Sequence, residues 1–142
     1  MERIKKRVVL LDDDTDFLRA IGAVLEDGGY EVLTCEKPAE SVSLIQKFQP
    51  DCLLLDLNMP VWDGKVFLRW IRRQLPDLAV VLCTGITGLD PIYFSRLGVH
   101  SIIYKPFSAE DLYEMVDRAI IEKSSAKPKT KSKPKHPKRF AA

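Results

Sequence analysis

The stretch Val8-Val9-Leu10-Leu11-Asp12-Asp13-Asp14 sets four consecutive valine and leucine side chains directly against three carboxylates. An unbroken apolar run this short marks a strand buried on both faces, as in a parallel sheet. The pattern returns three times. Cys52–Leu55 runs into Asp56, Ala79–Cys83 into Thr84, and Ser101–Tyr104 into Lys105. Glu31–Cys35 alternates instead and reads as an edge strand.

Helical periodicity fills the gaps. Asp14 or Thr15 can cap a helix whose apolar residues Phe17, Leu18, Ile21, Val24 and Leu25 share one stripe, with Gly28-Gly29 to stop it. Pro38 suits a first helical residue, and Val42, Leu44, Ile45 and Phe48 follow as its buried side. Lys65–Leu75 is predicted helical, burying Val66, Phe67, Trp70 and Ile71, and Pro76 breaks it. Leu89–Leu97 is predicted to be a short helix ended by Gly98. Ser108 can cap a last helix reaching about Lys123, burying Leu112, Met115, Val116, Ala119 and Ile120. These β–α units predict an α/β fold: a flavodoxin-like, doubly wound, five-stranded parallel sheet of order 2-1-3-4-5 with helices on both faces. In that order Asp12, Asp13 and Asp56 lie side by side at the switch point where ligands bind.

The 142 residues allow one domain with a real core. At 46% hydrophobic and 30% charged, the chain reads as soluble and globular. No apolar run approaches the ~20 residues of a membrane span, and Met1–Arg7 leads into no signal peptide. Cys35, Cys52 and Cys83 have no metal-ligand spacing and read as buried hydrophobes in a reducing cytoplasm. Charge divides the chain in two. Eight of the 22 Lys and Arg fall between Lys123 and Arg139, where there is no acid. Residues 1–122 are left with 14 bases against 20 acids, a net of −6. The expected organisation is therefore a folded unit over 1–123 and a basic, Lys/Pro-rich disordered tail over 124–142. Such an arm can contact nucleic acid or an acidic surface, or serve only as a solvated linker.

The strand ends carry the chemistry. Adjacent carboxylates at the mouth of a buried sheet are costly without a bound cation, and hard oxygens with room for water suit Mg²⁺. Asp56 is the expected nucleophile, since carboxylates can form acyl phosphates. Lys105, aimed outward before Pro106, would add positive charge, and Thr84-Gly85 would offer a hydroxyl and close backbone approach to an oxyanion. Each residue taken alone has a plainer reading, as a turn acid, a surface lysine or a turn threonine.

Together they resemble the receiver domain of bacterial two-component response regulators. The resemblance rests on Asp12-Asp13, on Asp56-Leu57-Asn58-Met59-Pro60-Val61-Trp62-Asp63-Gly64, on Thr84-Gly85 and on Lys105-Pro106-Phe107, and spans about residues 5–122. It implies phosphoryl transfer from a phosphohistidine to Asp56. It implies Mg²⁺ or Mn²⁺ held by Asp13, Asp56 and the backbone carbonyl of Asn58, with Asp12 acting mostly through water. Thr84 and Gly85 would bind phosphoryl oxygen, and Lys105 would pair with the acyl phosphate. The implied partners are a sensor histidine kinase or a histidine phosphotransfer protein, with homodimer formation a further option. The expected product is a cytoplasmic signalling phosphoacceptor rather than a metabolic enzyme, and a single-domain or truncated regulator. One departure stands out. Receivers usually carry an aromatic ring three residues before the lysine, and Ile102 occupies that position. Two other classes fit less well. A haloacid-dehalogenase-like phosphatase needs an acid where Asn58 stands, and a nucleotide switch needs a P-loop that the chain lacks. A module that only docks a partner remains open through Ile102.

Overall fold

A computed structural model of the chain describes residues 5–59 and 63–126. The expected tail from Lys127 onward, and Pro60, Val61 and Trp62, lie outside the described residues. The elements run β1 Arg7–Leu11, α1 Thr15–Asp27, β2 Glu31–Cys35, α2 Pro38–Phe48, β3 Cys52–Leu55, α3 Gly64–Gln74, β4 Ala79–Thr84, α4 Pro91–Arg96, β5 Ser101–Tyr104 and α5 Ala109–Ala126. All strand pairs are parallel, in the order β2-β1-β3-β4-β5. This is the flavodoxin-like order expected from the alternation of strands and helices.

Period-two alternation along buried strands divides the core into two layers. Val9, Leu11, Leu53, Leu55, Val80 and Leu82 face α2, α3 and α4. Val8, Leu10, Cys52, Leu54, Val81 and Cys83 face α1 and α5. The central strands therefore have no polar face, which explains their unbroken apolar sequence.

Aspartates set three helix starts. Asp14, Asp63 and Asp90 accept hydrogen bonds from the backbone N–H groups of Phe17, Lys65 and Ile92. The Asp90 cap starts α4 at Pro91, two residues later than the sequence pattern predicts, and Leu97 already lies in the turn closed by Gly98 at φ 89°. Helix α5 continues to Ala126, past the expected end at Lys123. Two expected core residues face outward: Leu44 is 42% exposed and Val66 56%. In α2 the buried side is drawn by Ser41 and Ile45, the Ser41 hydroxyl being satisfied by donating to the Pro38 carbonyl at 2.7 Å. In α3 the stripe Gly64, Phe67, Leu68, Ile71 leaves Val66 on the far side. No helix among the described residues is long and apolar enough to cross a membrane.

The two-layer core makes a sharp stability contrast. Leu54→Ala, at a site 1% exposed, is expected to lower the unfolding free energy by about 3 kcal/mol. Leu44→Ala should cost less than about 1 kcal/mol. Urea unfolding of both variants checks the pair, and equal losses would contradict the assignment of faces.

Candidate functional site

Parallel pairing brings the C-terminal ends of four strands to one rim. Leu11 pairs with Leu55, so the residues after them, Asp12 and Asp56, are adjacent. The Asp56 N–H donates to the Leu11 carbonyl at 3.0 Å, and the Asp12 N–H to the Cys35 carbonyl at 3.1 Å. On the other side Thr84 ends β4, in register with Tyr104, and the Lys105 N–H donates to the Thr84 carbonyl at 2.8 Å. Backbone bonds thus fix the Cα positions of Asp12, Asp56, Thr84 and Lys105 before any side chain interacts.

The side chains close the arrangement. Carboxylate oxygens of Asp12, Asp13 and Asp56 lie within 4.8 Å of one another. Asp12 is 2% exposed and Asp56 6%, whereas Asp13 faces solvent. Asp12 spends one oxygen on the Asp14 N–H, at 2.9 Å, and the other on the Lys105 ammonium, at 2.8 Å. The resemblance implies a partner for Lys105 only in the phosphorylated state, an acyl phosphate oxygen; in this structure its hydrogen bond is to Asp12. Asp56 Oδ1 accepts from the Asn58 N–H at 3.1 Å. Thr84, fully buried, accepts from the Ile86 N–H at 3.0 Å through its hydroxyl. The Lys105–Pro106 peptide is cis.

The electrostatics follow from crowding and burial. Desolvation, with Asp12 and Asp13 adding like charge, raises the Asp56 carboxyl above its ordinary pKa, against the Asn58 N–H and Lys105, which lower it. Burial works against the Lys105 ammonium, but the Asp12 hydrogen bond and the charges of Asp12 and Asp56 outweigh it and raise its pKa. Cys83 lies beside the site with its thiol pushed up to about 12 by burial, which keeps it neutral and inert. Three carboxylates against one ammonium leave a net negative rim, open to solvent at Asp13. A cavity of about 490 Å³ lined by Gln49, Asp51, Gln74, Asp77 and Lys123 belongs to the opposite end of the strands.

Residues singled out by the sequence are distributed in three ways. Asp12, Asp13, Asp56 and Lys105 converge. Thr84 sits at the same rim, held by its own loop. Ile102 is partly buried in β5 against the α2–α4 side of the core, two residues short of Thr84's register partner Tyr104. The helical spacing marks Phe17 only as a core residue, yet its ring lies under the Lys105 ammonium, with 4.0 Å between nitrogen and ring centroid. Nothing in the helical spacing announces that contact, because residues 17 and 105 belong to elements far apart in the chain.

Known proteins show the same organisation. The family model described as response regulator receiver domain matches residues 8–117. The transcriptional regulatory protein GlrR of Escherichia coli is 29% identical over 120 residues, which are 84% of this chain but 27% of that protein. The chain therefore spans little more than a quarter of that relative. A CheY-like response regulator receiver domain protein from Methanospirillum hungatei has a crystal structure similar at TM-score 0.78 and 28% identity, covering 85% of this chain and 98% of that one. The receiver domain structure from Clostridium thermocellum gives 0.76 and 30%, with 84% and 97% covered.

The raised Asp56 pKa has a measurable sign. An acid whose folded pKa exceeds its unfolded value adds stability below about pH 4, and that contribution is lost as pH rises through the folded pKa. Asp56→Asn, which keeps shape and removes charge, should therefore gain stability relative to wild type as pH rises from about 4 to 7. Denaturant unfolding in metal-free buffer across that range checks it; a flat or shrinking difference would contradict the origin assigned to the shift.

Proposed function

The chain belongs to the response regulator receiver domain family, and on that footing we propose that it accepts a phosphoryl group on Asp56. The observation that carries this reading is the convergence of Asp12, Asp13 and Asp56 oxygens within 4.8 Å, beside an ammonium only 2.8 Å from Asp12. Three hard oxygen donors at that separation fit a small divalent cation, and burial, with the like charges of Asp12 and Asp13 added, raises the Asp56 pKa. Asp13, Asp56 and the Asn58 carbonyl would hold Mg²⁺ or Mn²⁺, with Asp12 acting mostly through water. A bound ion would supply charge to offset the phosphoryl oxygens.

The chain's own residues define the transfer. A carboxylate oxygen of Asp56 attacks the phosphorus of a phosphohistidine. The new P–O bond makes an acyl phosphate as the P–N bond breaks, its electron pair going to the imidazole nitrogen of the donor. Asn58 N–H holds one Asp56 oxygen at 3.1 Å and so orients the carboxylate for attack. Among the described residues Lys105 supplies the positive charge at the rim, and it would move from Asp12 to an oxygen of the new phosphate. Thr84 and Gly85 would receive another phosphoryl oxygen once the Thr84 hydroxyl turns from the Ile86 N–H. The donor would be a sensor kinase or a histidine phosphotransfer protein. With isoleucine at residue 102, an inward-turning ring at that position is not part of the reading.

Incubation with acetyl phosphate and Mg²⁺ followed by intact mass spectrometry tests the proposal. One added phosphoryl group is expected in wild type, with none in Asp56→Asn and none with chelator. Phosphorylation that persists in Asp56→Asn, or that ignores chelator, would contradict it.

A further inference from the structure

Lys105 must satisfy two demands that conflict. Its ammonium is half-buried, which is costly for a charge without partners. It must also be able to leave Asp12 for a phosphoryl oxygen. A second carboxylate would hold it but would add a fourth negative charge to the rim. An aliphatic neighbour would bury it without compensation.

The neighbour present is an aromatic face. The Lys105 nitrogen is 4.0 Å from the Phe17 ring centroid, well inside the ~6 Å range of cation–π attraction. The ring is itself held. Phe107 meets it edge-on, with centroids 6.3 Å apart and planes at 87°. The Phe17 N–H donates to Asp14 Oδ1 at 3.1 Å, so the third aspartate of the acidic run fixes the turn that carries the ring. An ammonium has three donors and no acceptor. One donor is spent on Asp12, and the ring face attracts the cation without binding it as an ion pair.

We propose that Phe17 is a positioning residue for Lys105. Its ring face holds the ammonium between the buried Asp12 carboxylate and the phosphoryl group on Asp56 while it changes partners. Its role in the transfer runs through the lysine. The proposal rests on Asp56 being the phosphoacceptor.

A double-mutant cycle on the full chain separates this role from plain packing. Phe17→Leu should slow acetyl phosphate-driven phosphorylation about fivefold at saturating Mg²⁺, with the Mg²⁺ concentration giving half the maximal rate unchanged. Phe17→Tyr, which keeps a π-face, should recover most of the rate. In a Lys105→Ala background, Phe17→Leu should change nothing further. An equal loss in both backgrounds, or a wild-type rate in Phe17→Leu, would overturn the proposal. A second readout needs no variant to fold. In the NMR spectrum of unphosphorylated wild type, the Lys105 side-chain methylene next to the ammonium should be displaced upfield by the ring current, and an ordinary lysine position would overturn the proposal equally. Failure of wild type to gain any phosphoryl group would instead remove the reading of Asp56, while the ring-current measurement would still report on the contact.

Discussion

Parallel pairing forces unlike strand ends to share one edge, and in this protein that edge collects like charges. Asp12 and Asp56 cannot move apart, because backbone hydrogen bonds to Cys35 and Leu11 hold them. Their carboxylates are mostly out of water, so screening is weak and repulsion strong. The Lys105–Asp12 pair, linking the end of β5 to the end of β1, relieves part of this. The rest adds to the burial that raises the Asp56 pKa and leaves an electrostatic demand for a cation.

That residual demand connects fold to function. A buried ion pair formed only for stability would balance its charges, since an unpaired buried charge is expensive. Among the described residues this rim is left short of positive charge: three acids, one base, and a half-buried ammonium leaning on an aromatic ring instead of another carboxylate. The fold tolerates the imbalance because the layers beneath are apolar throughout, with Leu54, Leu55, Leu82 and Leu112 all essentially inaccessible. Stability resides in those layers, and the rim is free to be tuned for chemistry.

Much of this was legible in the chain itself. The abrupt change from Leu11 to Asp12, and from Leu55 to Asp56, marks both a strand end and a candidate ligand. Right-handed crossovers then limit the strand orders enough to predict that the acids meet. What escaped the sequence depends on side-chain torsion or on small rotations of helices. Lys105 reaches Asp12, 93 residues away, and no local pattern encodes that choice over Asp56. Leu44 and Val66 match a helical stripe on paper, yet Ser41 and Leu68 take the buried positions. Helix α4 starts at Pro91 rather than Leu89 because the Asp90 cap, a single hydrogen bond from Ile92, outweighs the apolar residue before it. The Phe17 contact is tertiary in origin and has no sequence signature.

The claim beneath all of this is that the rim is built to share its negative charge with a divalent cation. Metal binding competes with protons for the same oxygens, so it must alter their titration. Carboxyl-carbon NMR of Asp56, titrated across pH with and without Mg²⁺, measures that competition directly. The Asp56 titration is expected above the ordinary carboxylate range without metal and at clearly lower pH with it. Superimposable curves in the two conditions would contradict the account.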